Sequence, residues 1–236
     1  MLDHPGQIAA IVPCKDEAER IAATLAGLAR IPGLTQVIVV DDGSADDTAL
    51  IAERAGAVVV RHPRNRGKAA ALTSGLQALG DAPPQAVLFV DGDLEASAVE
   101  LAVLVPPVLA GEAEMTIATL PPQASAGGGH GFVVRLARDG IARLTGRTMS
   151  QPLSGMRCLS RAAVAAALPL ARGWGVEVGL TVDVLRAGLS VREVPCALQH
   201  RVSGRDWRGQ AHRAAQYRDV WLALRRRSWA RPAAGG

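Results

Sequence analysis

Two apolar patterns alternate along the first hundred residues. Short unbroken runs such as "IAAIVPC", "QVIVVDD", "AVVVRH" and "AVLFVDGD" are bounded by turn residues and read as buried strands. Between them, "EAERIAATLAGLAR", "ADDTALIAERAG" and "GKAAALTSGLQALG" carry apolar residues at helical spacing, each stopped by a glycine or a Pro-Gly signal. Strand, helix, strand at these lengths predicts parallel pairing through crossover helices, hence an open α/β sheet with helices on both faces. The second half is less regular. "FVVRLARDGIARLTG" predicts a basic amphipathic helix after the glycine run "ASAGGGHG"; "VEVGLTVDVLRAG" predicts another, with Gly188 as its stop. "LSVREVPCALQHR" alternates like a strand, and "GQAHRAAQYRDVWLALRRRSWARP" begins as a basic amphipathic helix. The pattern implies one domain over 1–226, with a nucleotide-binding-like half at 1–95 and an irregular half at 96–226. A disordered tail is expected at 227–236.

Composition narrows this picture. An apolar content of 49% over 236 residues suffices for a full core, and 20% charged residues is ordinary for a folded domain. The net charge of +4 rests almost wholly on arginine, Lys15 and Lys68 being the only lysines. With aromatics at 3% and no basic run interleaved with them, nucleic-acid binding is not expected. Cys14, Cys158 and Cys196 show no CxxC spacing, which predicts free thiols in a reducing cytoplasm. The N-terminus lacks a signal-peptide pattern, and "AVELAVLVPPVLA" is too short to span a bilayer and is interrupted by Pro106 and Pro107.

In open α/β sheets ligands bind beyond the carboxyl ends of the strands. Here those ends are "PCKDE", "DDGSADDT", "RHPRNRGK" and "DGD", all polar and charged. Asp91 and Asp93 flank Gly92 in "FVDGDLE"; such a pair serves an oxygen-ligand cation, Mg²⁺ or Mn²⁺, or is a solvated turn with Asp93 as a helix cap. Gly92 would let the backbone bend towards a ligand and leave space for a diphosphate. Asp42 exceeds what capping needs and is read as an acceptor for a base or ribose. Ser44, Asp46 and Asp47 are read as helix caps. Gly67 and Lys68 open a helix, where amides and an ammonium favour an anion. "NRGKAAAL" is not a P-loop, since His62 and Ala69 occupy the positions of its first glycine and its Ser/Thr, and no GxGxxG follows the first strand. His4, His62, His130 and His212 read as structural, and Glu177 and His200 are ambiguous taken alone.

Together these residues resemble a glycosyltransferase of the GT-A fold, family 2-like. "VPCKDEAERI" is similar to the family's P-A-x-N-E opening, keeping Pro13 and Glu17 while Lys15 and Asp16 depart from it; "VVDDGSADDT" matches D-D-G-S-x-D-x-T, and "FVDGDLE" the metal-binding D-x-D. "GGGHG", "QPLSGMRCLSR", "GWGVEVGLTVD" and "QHR" resemble, in order, the glucosyl-3-phosphoglycerate synthase group. The resemblance implies a GT-A type open, mostly parallel twisted sheet and a metal-dependent transfer of glucose from a UDP-sugar, with retention, to a small phosphorylated acceptor such as 3-phosphoglycerate. It implies Mg²⁺ or Mn²⁺ held by Asp91, Asp93 and His200. Pro13, Cys14, Glu17, Asp42, Gly67, Lys68, Asp91 and Gly92 would line the donor. Gly129, His130, Ser154, Gly155 and Arg201 would line the acceptor, with Asp93 and Glu177 in catalytic roles. His130 stands where the group has an arginine, so the acceptor is left open. "LTGRTMSQPLSG" also resembles polyprenyl-phosphate glycosyltransferases, whose acceptor is a lipid phosphate; the basic C-terminal helix would then lie on a membrane. An inactive nucleotide-sugar-binding module and a homodimer are further readings. A nucleotidyltransferase ranks last, because "PCKDEAER" is acidic where that class has a basic, glycine-rich loop.

Overall fold

The computed structural model describes residues 8–80, 84–120, 131–198 and 207–229. A seven-stranded sheet runs β3-β2-β1-β4-β6-β5-β7, formed by β1 (Ile8–Cys14), β2 (Leu34–Asp41), β3 (Val58–Arg61), β4 (Ala86–Phe89), β5 (Met115–Thr119), β6 (Arg157–Ser160) and β7 (Val191–Pro195). The first four strands are mutually parallel, as the crossover helices α1 (Ile21–Leu28), α2 (Thr48–Arg54) and α3 (Lys68–Ala78) require. β6 pairs antiparallel with β4 and β5, whereas β5 and β7 are parallel.

Both faces of the sheet are covered, which is why its strands read as unbroken apolar runs instead of alternating ones. Alternation survives in which side each residue serves. Ile11, Ile38, Val40 and Phe89 enter one core with α3, α5 (Gly131–Thr145), α6 (Arg161–Ala167), α7 (Val176–Arg186) and α8 (Trp207–Trp229). Ala10, Val12, Val39 and Leu88 enter the other, under α1, the 3₁₀ segment Glu95–Leu104 and α4 (Val105–Leu109). α5 and α8 approach closely because Gly140 has no side chain; a Cβ there would stand 2.3 Å from Leu224 Cδ1. Gly188, at φ +76°, ends α7 as its position after the apolar periodicity predicts.

The irregular half departs from expectation in three places. β5 and β6 are strands that the apolar pattern does not announce: Thr116 interrupts β5 and Arg157 opens β6, yet both are fully buried. Pro106 and Pro107 do not break the chain but sit in the first turn of α4, where a missing amide hydrogen costs nothing. Residues 227–229, expected in the tail, belong to α8, where Arg227 pairs with Asp183 of α7; residues 230–236 lie outside the described residues. Val220, Ala223 and Leu224 of α8 are buried, so its apolar face belongs to the core and is not free to lie on a bilayer. No helix among the described residues is long and apolar enough to cross a membrane.

Candidate active site

The carboxyl ends of β1 and β2 are stitched together by hydrogen bonds that cross between their loops. Asp16, in the left-handed region at φ 56°, donates its amide to Ser44 Oγ and accepts the Ala45 amide on Oδ1 at 2.8 Å. The amides of Glu17 and Ala18 reach Thr48 Oγ1 and Asp46 Oδ2. Asp46 caps α2, accepting the Thr48 amide on Oδ1, and serves the neighbouring loop as well, whereas Ser44 bonds Asp16 and Asp41 and Asp47 makes no capping bond. Of the three residues read as caps, Asp46 alone makes a capping bond among the described residues.

Asp42 continues the scaffold. Its Oδ1 accepts from the Arg66 amide at 2.8 Å and lies 2.7 Å from His62 Nδ1, while Oδ2 accepts from the Gly67 amide at 2.7 Å. His62, itself buried, reaches Ser74 Oγ through Nε2. Both carboxylate oxygens of Asp42 are therefore turned to the chain and fix the loop that delivers Lys68.

Lys68 begins α3, and its ammonium sits 2.7 Å from Asp91 Oδ1 and 3.2 Å from Glu177 Oε1. Burial disfavours the charge, but the two carboxylates outweigh it and hold the lysine above its usual pKa. Three distant segments meet here: the start of α3, the residue two beyond β4, and the first turn of α7. A fourth closes over them. A Cβ on Gly155 would stand 2.3 Å from Lys68 Nζ and 3.2 Å from both oxygens of Asp91, so only a glycine lets that backbone rest on the ion pair.

Asp93 lies on the other side of the same loop. Thr24, buried in α1, donates to the Gly92 carbonyl at 2.9 Å and accepts the Glu95 amide at 2.8 Å, clamping the turn to the helix. Arg20 binds Glu17 at 2.6 Å. Burial raises the Glu17 pKa; Arg20 opposes that shift, and the nearby Asp93 charge adds to it. Asp93 is half-buried and has no hydrogen-bond partner among the described residues. It opens on a groove of about 720 Å³ lined also by Arg20, Arg30, Glu95, Glu100 and Ala197. Ala197 stands three residues before His200. Gly92 has a role other than making room for a ligand: a Cβ there would meet Cys14 Cβ at 3.0 Å and Glu17 Cγ at 3.6 Å, so the missing side chain is filled by the protein. Cys14 is buried beside Pro13, and its thiol is pushed up to about 12 by burial and the neighbouring Asp41 and Glu17, leaving an apolar wall and not a nucleophile.

The loop bearing Ser154 and Gly155 is held by a residue that sequence reasoning passed over. Arg157, 1% exposed, donates to the carbonyls of Ser154 (2.9 Å) and Pro152 (3.2 Å) and to Thr181 Oγ1 (2.8 Å). It forms no ion pair among the described residues, and burial lowers its pKa to about 10. A single arginine inside the apolar stretch "MRCL" is the signal that could have exposed it. Glu193 adds acceptors for the amides of Ser150 and Gln151. Ser154 Oγ is buried without a hydrogen-bond partner among the described residues. Arg157→Met, which keeps most of the volume but strands two carbonyls, should cost about 2 kcal/mol and lower Tm by about 4–8 °C; an unchanged melting curve would mean that other contacts hold the loop.

Of the residues expected at the site, the structure gathers Pro13, Cys14, Glu17, Asp42, Gly67, Lys68, Asp91, Gly92, Asp93, Gly155 and Glu177 at one end of the sheet, with Ser154 alongside. Gly129, His130, His200 and Arg201 lie outside the described residues. Among the described residues no three His, Cys, Asp or Glu side chains converge as a metal-binding group, so the expected third ligand is not placed.

Comparison with known proteins gives consistent matches. The model of the glycosyl transferase family 2, "Glycosyl transferase family 2", matches residues 9–141. An uncharacterised protein of Methanocaldococcus jannaschii is 29% identical over 195 residues, covering 80% of each chain. Glucosyl-3-phosphoglycerate synthase of Mycobacterium tuberculosis is 34% identical over 206 residues, 77% of this chain but 62% of the synthase. A crystal structure of the Mycobacterium tuberculosis synthase with Mn²⁺, UDP and glucosyl-3-phosphoglycerate superposes with a TM-score of 0.78 at 29% identity, covering 98% of this chain and 82% of that one. Other crystals of that enzyme hold Mg²⁺ with UDP, or Mn²⁺ with UDP-glucose and phosphoglyceric acid.

Proposed function

The chain belongs to glycosyl transferase family 2, and from that premise we propose that it moves glucose from UDP-glucose to a small phosphorylated acceptor such as 3-phosphoglycerate, with retention. It is a glycosyltransferase of GT-A fold. The substrate reading is carried by one observation: Lys68, Asp91 and Glu177 form a closed ion cluster at the strand ends, with Asp93 beside it lacking a hydrogen-bond partner among the described residues.

The residues fit a hard divalent cation. Asp91 and Asp93 flank Gly92 and offer carboxylate oxygens of the kind a hard cation takes, and Glu17 stands near Asp93, with Arg20 and Lys68 as the cations that offset these acids. Asp91, Asp93 and His200 would hold it; when bound, Mg²⁺ or Mn²⁺ neutralises the charge that develops on departing UDP. The chain supplies the rest. Lys68 is pinned between two carboxylates, so its positive charge meets a diphosphate without first being reoriented. Pro13 and Glu17 flank the nucleoside, and Asp42 shapes its pocket by holding the loop from His62 to Gly67. Glu177, anchored through Lys68, is placed to accept from a sugar hydroxyl. Ser154 and Gly155 would border the acceptor, and Gly129, His130 and Arg201, which lie outside the described residues, are assigned to it by the family resemblance.

The test is to incubate the protein with UDP-glucose, Mg²⁺ or Mn²⁺, and either 3-phosphoglycerate or a polyprenyl phosphate. UDP release and mass spectrometry of the product provide the readout, with NMR for anomeric configuration. The expected result is α-linked glucosyl-3-phosphoglycerate, lost on chelation. Product formed only with the lipid phosphate, or no UDP release with any acceptor, would overturn the reading.

A further inference from the structure

Aromatic residues are scarce in this chain and unusually placed. Of two Phe, four Trp and one Tyr, the structure buries Phe89 and exposes Phe132, Trp174, Tyr217, Trp221 and Trp229. Three of the exposed rings share one helix. Tyr217, Trp221, Arg225 and Trp229 follow one another at four-residue spacing on α8, a ridge of about 18 Å along the helix. The Arg225 guanidinium lies 5.1 Å from the Trp221 ring and 5.6 Å from that of Trp229, so cation and indoles are presented together. Trp221 is 42% exposed and Trp229 78%. These rings are not surplus core, because a neighbouring flank of α8 supplies Val220, Ala223 and Leu224 to the interior.

Charge decides what such a ridge faces. Arg225 and Arg226 are exposed, while Arg227 turns inward to Asp183. The one acid between Tyr217 and Trp229 is Asp219, and its carboxylate is sequestered by Arg218 and the Trp174 amide. The outward face is thus aromatic and cationic, with no exposed acid to offset it. In a two-fold interface the same ridge would meet itself, so a second copy would offer Arg225 and Arg226 no acid to pair with. A nucleic acid strand is tracked by a groove, whereas this is a convex ridge on one helix. Indoles flanked by arginines on a convex helix suit the headgroup layer of a bilayer: rings settle at the polar–apolar boundary and guanidinium groups meet lipid phosphates.

We propose that the Tyr217–Trp229 ridge docks the protein on an anionic phospholipid surface. The docking is independent of which acceptor is used, and it would hold the strand-end site beside a membrane without inserting a helix into it.

Co-sedimentation of the full chain with vesicles tests this. Vesicles of phosphatidylcholine mixed equally with phosphatidylglycerol should retain the protein, more weakly as salt rises, and vesicles of phosphatidylcholine alone should not. Trp221→Ala/Trp229→Ala and Arg225→Ala/Arg226→Ala should each lower partitioning by about tenfold or more, with the melting curve and the vesicle-free rate of UDP release unchanged. Failure to bind anionic vesicles, equal binding to neutral ones, or binding unaltered in both variants would overturn the proposal. So would an oligonucleotide complex, or a dimer, that these substitutions abolish while vesicles are ignored. Loss of UDP release in the unsubstituted protein would count against the proposed reaction and leave the vesicle result standing.

Discussion

Asp93→Ala should lower UDP release from UDP-glucose by about a thousandfold or more, the order expected when the charge stabilisation of a leaving diphosphate is lost. The fold should survive. Asp93 has no hydrogen-bond partner among the described residues, so its removal breaks no scaffold bond, and the loop stays clamped by Thr24 at the Gly92 carbonyl and the Glu95 amide. Loss of the repulsion with Glu17 is offset by loss of the attraction to Arg20, so Tm should stay nearly level. Paired measurements of UDP release and thermal unfolding separate the two effects. Turnover that persists with an unchanged melting curve would remove Asp93 from the reaction.

Lys68→Met should damage stability and turnover together, for a different reason. It leaves Asp91 and Glu177 facing each other without the ammonium that now lies within 3.2 Å of both. Breaking a buried ion pair costs about 3–5 kcal/mol, and with Lys68 and Asp91 still partly open to water about 2 kcal/mol is expected, or about 4–8 °C in Tm. Turnover should fall by about a hundredfold or more. The pH dependence follows from the raised lysine pKa, which burial opposes and the two carboxylates impose. A raised folded-state value stabilises fully below the unfolded lysine pKa of about 10.4 and is lost as pH climbs towards the folded value. The stability gap between wild type and variant should therefore be flat near about pH 8 and shrink above about pH 11. Lys68→Met/Glu177→Gln should regain stability without regaining turnover. A double variant as unstable as the single one would mean that charge is not what the lysine balances.

The first half was legible in the sequence because its rules are local. Parallel strands buried on both faces must be apolar runs, their polar ends must line the ligand side, and Asp91, Asp93 and Lys68 stand at such ends. The second half obeys longer-range rules. Arg157 and Thr116 look like surface residues until the partners that satisfy them are known, and those partners lie on other elements: Thr181 of α7 for the arginine, and the Leu104 carbonyl for the threonine. Asp42 has a role that its position did not announce. A surplus carboxylate at a strand end suggested a ligand contact, and in the structure it bonds His62, Arg66 and Gly67. Nothing local in "VVDDGS" states that a loop some twenty residues away needs an acceptor.

The antiparallel pairing of β4 with β6 matches Phe89 to Arg157. Asp91 lies two residues beyond that pair in one direction along the chain and Gly155 two residues beyond it in the other, so both emerge from the same end of the ladder. The contact between the carboxylate and the glycine is in this way counted out by strand register. Insertions in the connections between β4 and β6 that leave β5 and α5 intact would not disturb it, as long as Phe89 keeps facing Arg157. A slip of one rung between β4 and β6 would part the carboxylate from the glycine.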